Sequence, residues 1–168
     1  MEDVLLSRHV LLSEFVRTQH RQFAAWQEHP PAFVLEAAKR LCPELVDPIF
    51  ELWGHGTELS SGYRSPALNA WIGGAPNSCH MLGRAADLVP PQKLGLLPAF
   101  QKLVAAKLPA DKLIIETKMR GDNSRALWIH VRVPTTGTPP RRIALMSLDG
   151  VHYAPFDARD PRLIALTK

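Results

Sequence analysis

The stretch "LWIHVRV" (127–133) decides the fold, because its apolar residues alternate without a break: Leu127, Ile129, Val131 and Val133 fall on one face, Trp128, His130 and Arg132 on the other. That period of two predicts a half-buried strand whose apolar face is the core face, so His130 points to a groove or to solvent. The same reading applies to "RAADL" (84–88), where Ala86 and Leu88 share one side and Asp87 takes the opposite one. "KLIIE" (112–116) and "RRIALMSL" (141–148) read as further strands, separated by polar loops at 117–126 and 134–140. Glu116 closes an apolar run and is expected at the mouth of its strand. Three strand positions therefore present an imidazole and two carboxylates to one cleft, and the competing reading is three unrelated surface residues.

Upstream of the strands the pattern changes to helical spacing. Helices are predicted over 11–27, over 31–41 after "HPP", and over 43–54, where Leu45, Ile49, Phe50 and Trp53 recur at the right interval. "HGTELSSGYRSP" (55–66) reads as a short strand and a loop, Pro66 opens a short helix through Ala70, and "GGAPNS" (73–78) is turn chemistry. A further helix is expected in 92–107, and the tail from Gly150 shows no clear period. The resulting reading is an α+β fold: a small antiparallel sheet with helices packed on one face. The expectation is a single domain over 1–168, with a helical lead-in (1–54), a strand-bearing core (55–148) and an irregular C-terminal tail (149–168).

At 168 residues and 46% hydrophobic, the chain has enough apolar content for one packed core, which excludes disordered and fibrous classes. The formal charge of +4 favours anionic partners in general, but Lys and Arg are scattered, and only "PPRR" (139–142) resembles a cluster. The two cysteines form neither a disulfide framework nor a metal pair in the sequence and read as reduced thiols. "MEDVLLSRHVLLSEF" (1–15) carries acids where a secretory signal needs positive charge, and no apolar run reaches the ~20 residues of a membrane span. The expectation is a protein made in the cytoplasm without an export signal.

"SCHMLGRAADL" (78–88) places His80 and Asp87 seven positions apart, with Gly83 supplying a turn between a loop and the strand that carries the aspartate. They read either as two ligands of one metal ion or as a loop histidine and a surface acid. Zinc chemistry gives a reason to group them with His130: a hydrolytic zinc site uses three N or O ligands and an open position at which water is acidified toward a pKa of about 7. A further carboxylate outside the ligand set is needed to accept the proton, and Glu116 is the candidate base.

"SGYRSPALNAWIGGAPNSCHMLGRAADL" (61–88), followed by "LIIE" and "WIHVRV", closely resembles the zinc peptidases of the D-Ala-D-Ala carboxypeptidase and L-alanyl-D-glutamate endopeptidase family, which share their fold with the hedgehog signalling domain. The lead-in "LLSEFVRTQH…HPPAFVLEAAKRL" resembles that of the phage-type branch. The resemblance implies zinc held by His80, Asp87 and His130, and an oxyanion-stabilising role for Arg64. It implies a substrate contact for Ser78. Tyr63 and Trp128 are candidate groove walls, with packing on a half-buried sheet as the other reading of both. Many relatives carry Glu three residues before the last histidine; Leu127 stands there in this chain, and Glu116 resembles the alternative placement found in the hedgehog-like branch. Cys79 is the other departure, a thiol beside a ligand that either competes for metal or is tolerated. The implied activity is hydrolysis of an amide bond in peptidoglycan stem peptides, with no nucleic-acid partner, no membrane insertion, and a phage virion or secretion apparatus as the means of delivery. The contrasting reading is a non-catalytic, zinc-stabilised binding or virion module of the same fold.

Overall fold

The computed structural model describes residues 3–119 and 124–167. Asp122, the acid in the loop before "LWIHVRV", lies outside them. In chain order the elements begin with α1 (Leu12–Phe15), a 3-10 turn (Arg21–Phe23), α2 (Ala24–Glu28), α3 (Ala32–Leu41), a π turn (Cys42–Val46) and α4 (Asp47–Trp53). Next come β1 (Glu58–Ser61), α5 (Pro66–Trp71), a 3-10 helix (Cys79–Leu82), β2 (Ala85–Val89) and α6 (Leu96–Ala105). β3 (Lys112–Met119), β4 (Arg125–Arg132), β5 (Ile143–Ser147), β6 (Ala154–Pro155) and α7 (Pro161–Leu166) follow.

The strands form one six-stranded sheet in the order β1-β2-β4-β3-β5-β6. All pairings are antiparallel except β3 with β5, so the sheet is mostly antiparallel, in keeping with the expected α+β fold. After β4 the chain crosses to the far edge of β3, so β5 runs opposite to β4 and in the same direction as β3. The alternation read from the sequence sorts the two faces. Ala86, Leu88, Leu113, Ile115, Ile129, Val131 and Met146 point into the core, where they meet Val34, Leu41, Leu45 and Ile49 from the lead-in and Phe100 and Leu103 from α6. Each large aliphatic side chain buried this way contributes about 1.5–3 kcal/mol. The opposite face carries Asp87, His130 and Glu116.

Three differences from the sequence expectation have local causes. The helix expected over 11–27 breaks after Phe15 because its carbonyls are taken by tertiary partners: Phe15 O accepts Tyr63 N (2.8 Å) and Val16 O accepts Gln27 Nε2 (3.2 Å). Pro43 does not end a helix. Lacking an N–H, it is absorbed in a π turn in which Asp47 N donates to Cys42 O, five residues back, so α3 and α4 read through as one rod. The tail is not irregular: β6 adds to the sheet, and α7 is capped by Asp160, whose side chain accepts from Arg162 N and Leu163 N, with Pro161 at the first helical position. Leu163 is fully buried and ties the tail to the core.

Candidate metal centre

His130 sits in the middle of the sheet, and its neighbours on either side are set by register. It pairs with Asp87 on β2 and with Ile114 on β3, while Glu116 pairs with Trp128 one step along the same face. Strand parity also explains Leu127: a residue three positions before His130 in the same strand points to the opposite face, and Leu127 packs against the core.

His80 reaches this face from the short helix Cys79–Leu82. Ser78 caps that helix, its hydroxyl accepting from His80 N, and Gly83 ends it with φ +66°. A side chain at Gly83 would strike the carbonyl of Val34, so both the left-handed backbone and the approach of α3 require glycine here. Gly62 is excluded from substitution in the same way, by the Phe15 backbone, and its carbonyl accepts from His80 Nδ1 at 2.7 Å. Because a carbonyl only accepts, the ring proton sits on Nδ1 and the Nε2 lone pair is directed into the cluster.

The three donor atoms lie close together. His80 Nε2 is 3.2 Å from His130 Nδ1 and 3.2 Å from Asp87 Oδ1, and His130 Nδ1 is 2.9 Å from the same oxygen. Four ligands placed tetrahedrally at zinc–nitrogen and zinc–oxygen distances stand about 3.3 Å apart, so the spacing fits one small divalent cation. These are also the residues whose donor atoms could hold a metal among the described ones. Burial pushes the His80 pKa down, which keeps the ring in its neutral, metal-binding form. Burial works against ionised Asp87, yet the facing Arg64 guanidinium more than offsets it and holds its carboxyl well below the usual range.

Arg64 enters the cluster from the segment after β1. Its Nη2 contacts Asp87 Oδ2 and lies 2.9 Å from His80 Nε2, while its Nε donates to Ser61 Oγ at 3.1 Å. A fixed cation therefore borders the donor atoms. The backbone that carries it is clamped by Gln27, which is 1% exposed and bonds Val16 O, Tyr63 O and Ser65 N through its side-chain amide.

Glu116 is not at a strand mouth as expected. β3 continues to Met119, and Glu116 lies well inside it, 6% exposed. Trp128 Nε1 donates to its Oε2 and the Tyr153 hydroxyl to its Oε1, both at 3.0 Å. Burial pushes its pKa up, with the charge on Asp87 acting in the same direction and His130, Tyr153 and Trp128 opposing. A carboxyl whose protonation sits nearer neutrality than usual suits proton exchange.

The structure thus brings His80, Asp87, His130, Arg64, Glu116 and Trp128 onto one face. Trp128 meets Glu116 through its indole N–H. Tyr63 is a core residue, 3% exposed, and does not wall the groove. Ser78 serves as a helix cap. Cys79 is not among the clustered donors; its sulfur lies 3.5 Å from Arg132 Nη1. Asp111 is held by Arg132 and Arg141, whose hydrogen bonds keep it ionised and below the usual carboxylate range. Sequence reasoning missed Gln27 and Tyr153. Nothing in the sequence marks Gln27, whereas the "DG" turn before Tyr153 was a legible signal.

No curated protein matches the chain. A family model described as peptidase M15 matches residues 9–118, a span that includes Arg64, His80, Asp87 and Glu116 and stops short of His130 and Tyr153. With its donor cluster and adjoining carboxyl in place, this chain belongs to the peptidase M15 family of metallopeptidases.

Proposed function

We propose that the protein is a zinc-dependent hydrolase that cleaves an amide bond in the peptide stem of bacterial peptidoglycan. The observation that carries this reading is the placement of the His80, Asp87 and His130 donor set beside a buried glutamate held by two hydrogen bonds. Family membership supports a metallopeptidase, and the charge of +4 suits an anionic wall polymer.

His80 Nε2, His130 Nδ1 and Asp87 Oδ1 would hold the ion. Zinc supplies Lewis acidity toward a carbonyl oxygen and makes water acidic near neutral pH. Glu116, in its ionised form, takes a proton from the attacking water and passes it to the leaving amine. Trp128 Nε1 donates to its Oε2 and holds that oxygen in place. Arg64 places a fixed positive charge where the carbonyl oxygen becomes negative, and Ser61 together with Asp87 restrains the guanidinium. Gly62 O holds the His80 ring against rotation.

Among the described residues no helix is long and apolar enough to cross a membrane. Delivery to the wall by a phage virion, by lysis or by a secretion apparatus is part of the proposal. Incubation of the metal-loaded protein with purified sacculi, followed by mass spectrometry of the released muropeptides, tests it. New amine and carboxyl termini within the stem identify the bond cut. Intact stems after prolonged incubation with zinc-loaded protein contradict the proposal.

A further inference from the structure

The segment after β5 is folded back over the sheet by a tightly bonded turn. Asp149 Oδ1 accepts Val151 N and His152 N, both at 2.8 Å, and Asp149 Oδ2 pairs with His152 Nδ1 at 2.7 Å. Gly150, at φ +76°, donates its N–H to Ser147 Oγ. The chain then returns along β5 as β6, with Ala154 opposite Met146 and Pro155 opposite Leu145. Phe156 anchors the far side, its ring 4.7 Å from that of Phe100. Tyr153 sits between the turn and the returning strand. Ser147, at the start of the turn, is the register partner of Glu116 on β3, so the reversal brings the Tyr153 hydroxyl to Glu116 Oε1.

We infer that Tyr153 is a positioning residue for the proton-transferring glutamate: its hydroxyl fixes Glu116 Oε1 while Trp128 Nε1 fixes Oε2. This inference rests on the assignment of Glu116 made above. Tyr153 is 51% exposed whereas Glu116 is 6% exposed, so Tyr153 forms the outer lip over a buried carboxylate. With only one donor, a glutamate side chain can still rotate about its terminal torsion, which is broad. Two donors, one from β4 and one from the segment leading into β6, one per oxygen, remove that freedom. Burial and the neighbouring Glu116 push the Tyr153 pKa up to about 12, so the hydroxyl keeps its proton and remains a donor throughout the working pH range. Tyr153 also lies beyond residues 9–118, so the C-terminal segment supplies part of the proton-transfer apparatus from outside the matched region.

Tyr153→Phe removes the hydroxyl and keeps the ring. With soluble muropeptides from muramidase-digested sacculi as substrate and zinc-loaded protein, kcat should fall about tenfold, the loss expected for one hydrogen bond to a charged group. KM and zinc content should stay at their wild-type values, and the melting temperature should fall by a few degrees, the cost of one carboxylate oxygen losing its donor. In a Glu116→Asp background, where the carboxylate is withdrawn by one methylene from both donors, the same substitution should change kcat less than about twofold, because residues acting as a unit are not additive. A wild-type kcat in Tyr153→Phe overturns the inference. So does a rise in KM at constant kcat, which makes Tyr153 a substrate contact, or an undiminished loss in the Glu116→Asp background. Full activity in Glu116→Gln is a different result and removes the base assignment itself.

Discussion

Glu116→Gln separates chemistry from stability at one atom, and the structure fixes what each should do. The side chain has two neighbours, and they differ in kind: the Trp128 indole N–H only donates, whereas the Tyr153 hydroxyl both donates and accepts. A glutamine amide therefore fits in one orientation, its oxygen accepting from Trp128 and its NH2 group donating to Tyr153. No buried polar group is left unpaired, and a buried charge is removed, so stability should change by less than about 1 kcal/mol. For a chain of this length that is a shift of at most about 2–4 °C in Tm. Activity should fall by about 10²–10⁴, the contribution of a positioned general base, which corresponds to about 3–5 kcal/mol of barrier. The pH profile gives an independent signature. Burial raises the folded pKa of Glu116 and the carboxylate is the working form, so wild-type activity should climb as pH rises through that elevated value. In Glu116→Gln this acidic limb should disappear. Calorimetry, zinc analysis and muropeptide hydrolysis on the same sample check all three points. Wild-type turnover in a folded, zinc-loaded Glu116→Gln protein refutes the reasoning and moves proton transfer to another group.

Arg64→Ala should retain one zinc per chain, since none of the three donor atoms is removed, yet lose on the order of 100-fold or more in kcat, as happens when one oxyanion donor is deleted; unaltered kcat would make the arginine structural. Gln27→Ala strips partners from Val16 O, Tyr63 O and Ser65 N, all buried, and should cost about 3 kcal/mol, read as a drop of about 10 °C in Tm. A melting curve within 2–4 °C of wild type, a change worth about 1 kcal/mol, would mean that the Arg64 segment holds its shape without the clamp. Asp111→Asn should flatten the response to acid. Its folded pKa is depressed by the hydrogen bonds from Arg141 and Arg132, so its contribution is complete above the unfolded value of about 3.9 and is lost as pH falls toward the folded one. Denaturant titrations at pH 7 and pH 3 should therefore show a wild-type to variant gap that narrows at the lower pH, and a constant gap would contradict the ion-pair account.

Much of the site was legible because a strand has only two faces. Once Leu127, Ile129 and Val131 were assigned to the core, His130 had to face outward, and the same parity placed Asp87. The position of Glu116 along β3 was less legible: Thr117 and Lys118 look like loop residues, yet Thr117 lies on the buried face opposite Leu127 and the strand runs through both. The lead-in was misread for a different reason, because helical periodicity does not show that the carbonyls of Phe15 and Val16 are claimed by Tyr63 and Gln27 from elsewhere in the chain. The tail carried its own signal in "DPRLIAL" (160–166), an N-cap aspartate followed by proline and an apolar stripe, and this was outweighed by the Pro, Asp and Arg content around it. The "DG" pair at 149–150 marks a turn, but that this turn carries Tyr153 to Glu116 depends on tertiary geometry that the local pattern does not specify.

The central claim is that three named atoms form one zinc site. Crystals grown with zinc and measured on both sides of the zinc absorption edge test it most directly. The account predicts one strong anomalous peak per chain, at about 2.0–2.2 Å from His80 Nε2, His130 Nδ1 and Asp87 Oδ1, with Arg64 withdrawn from His80 and the same peak absent in Asp87→Ala. A peak coordinated by Cys79, or none at this cluster in protein that hydrolyses muropeptides, would contradict it.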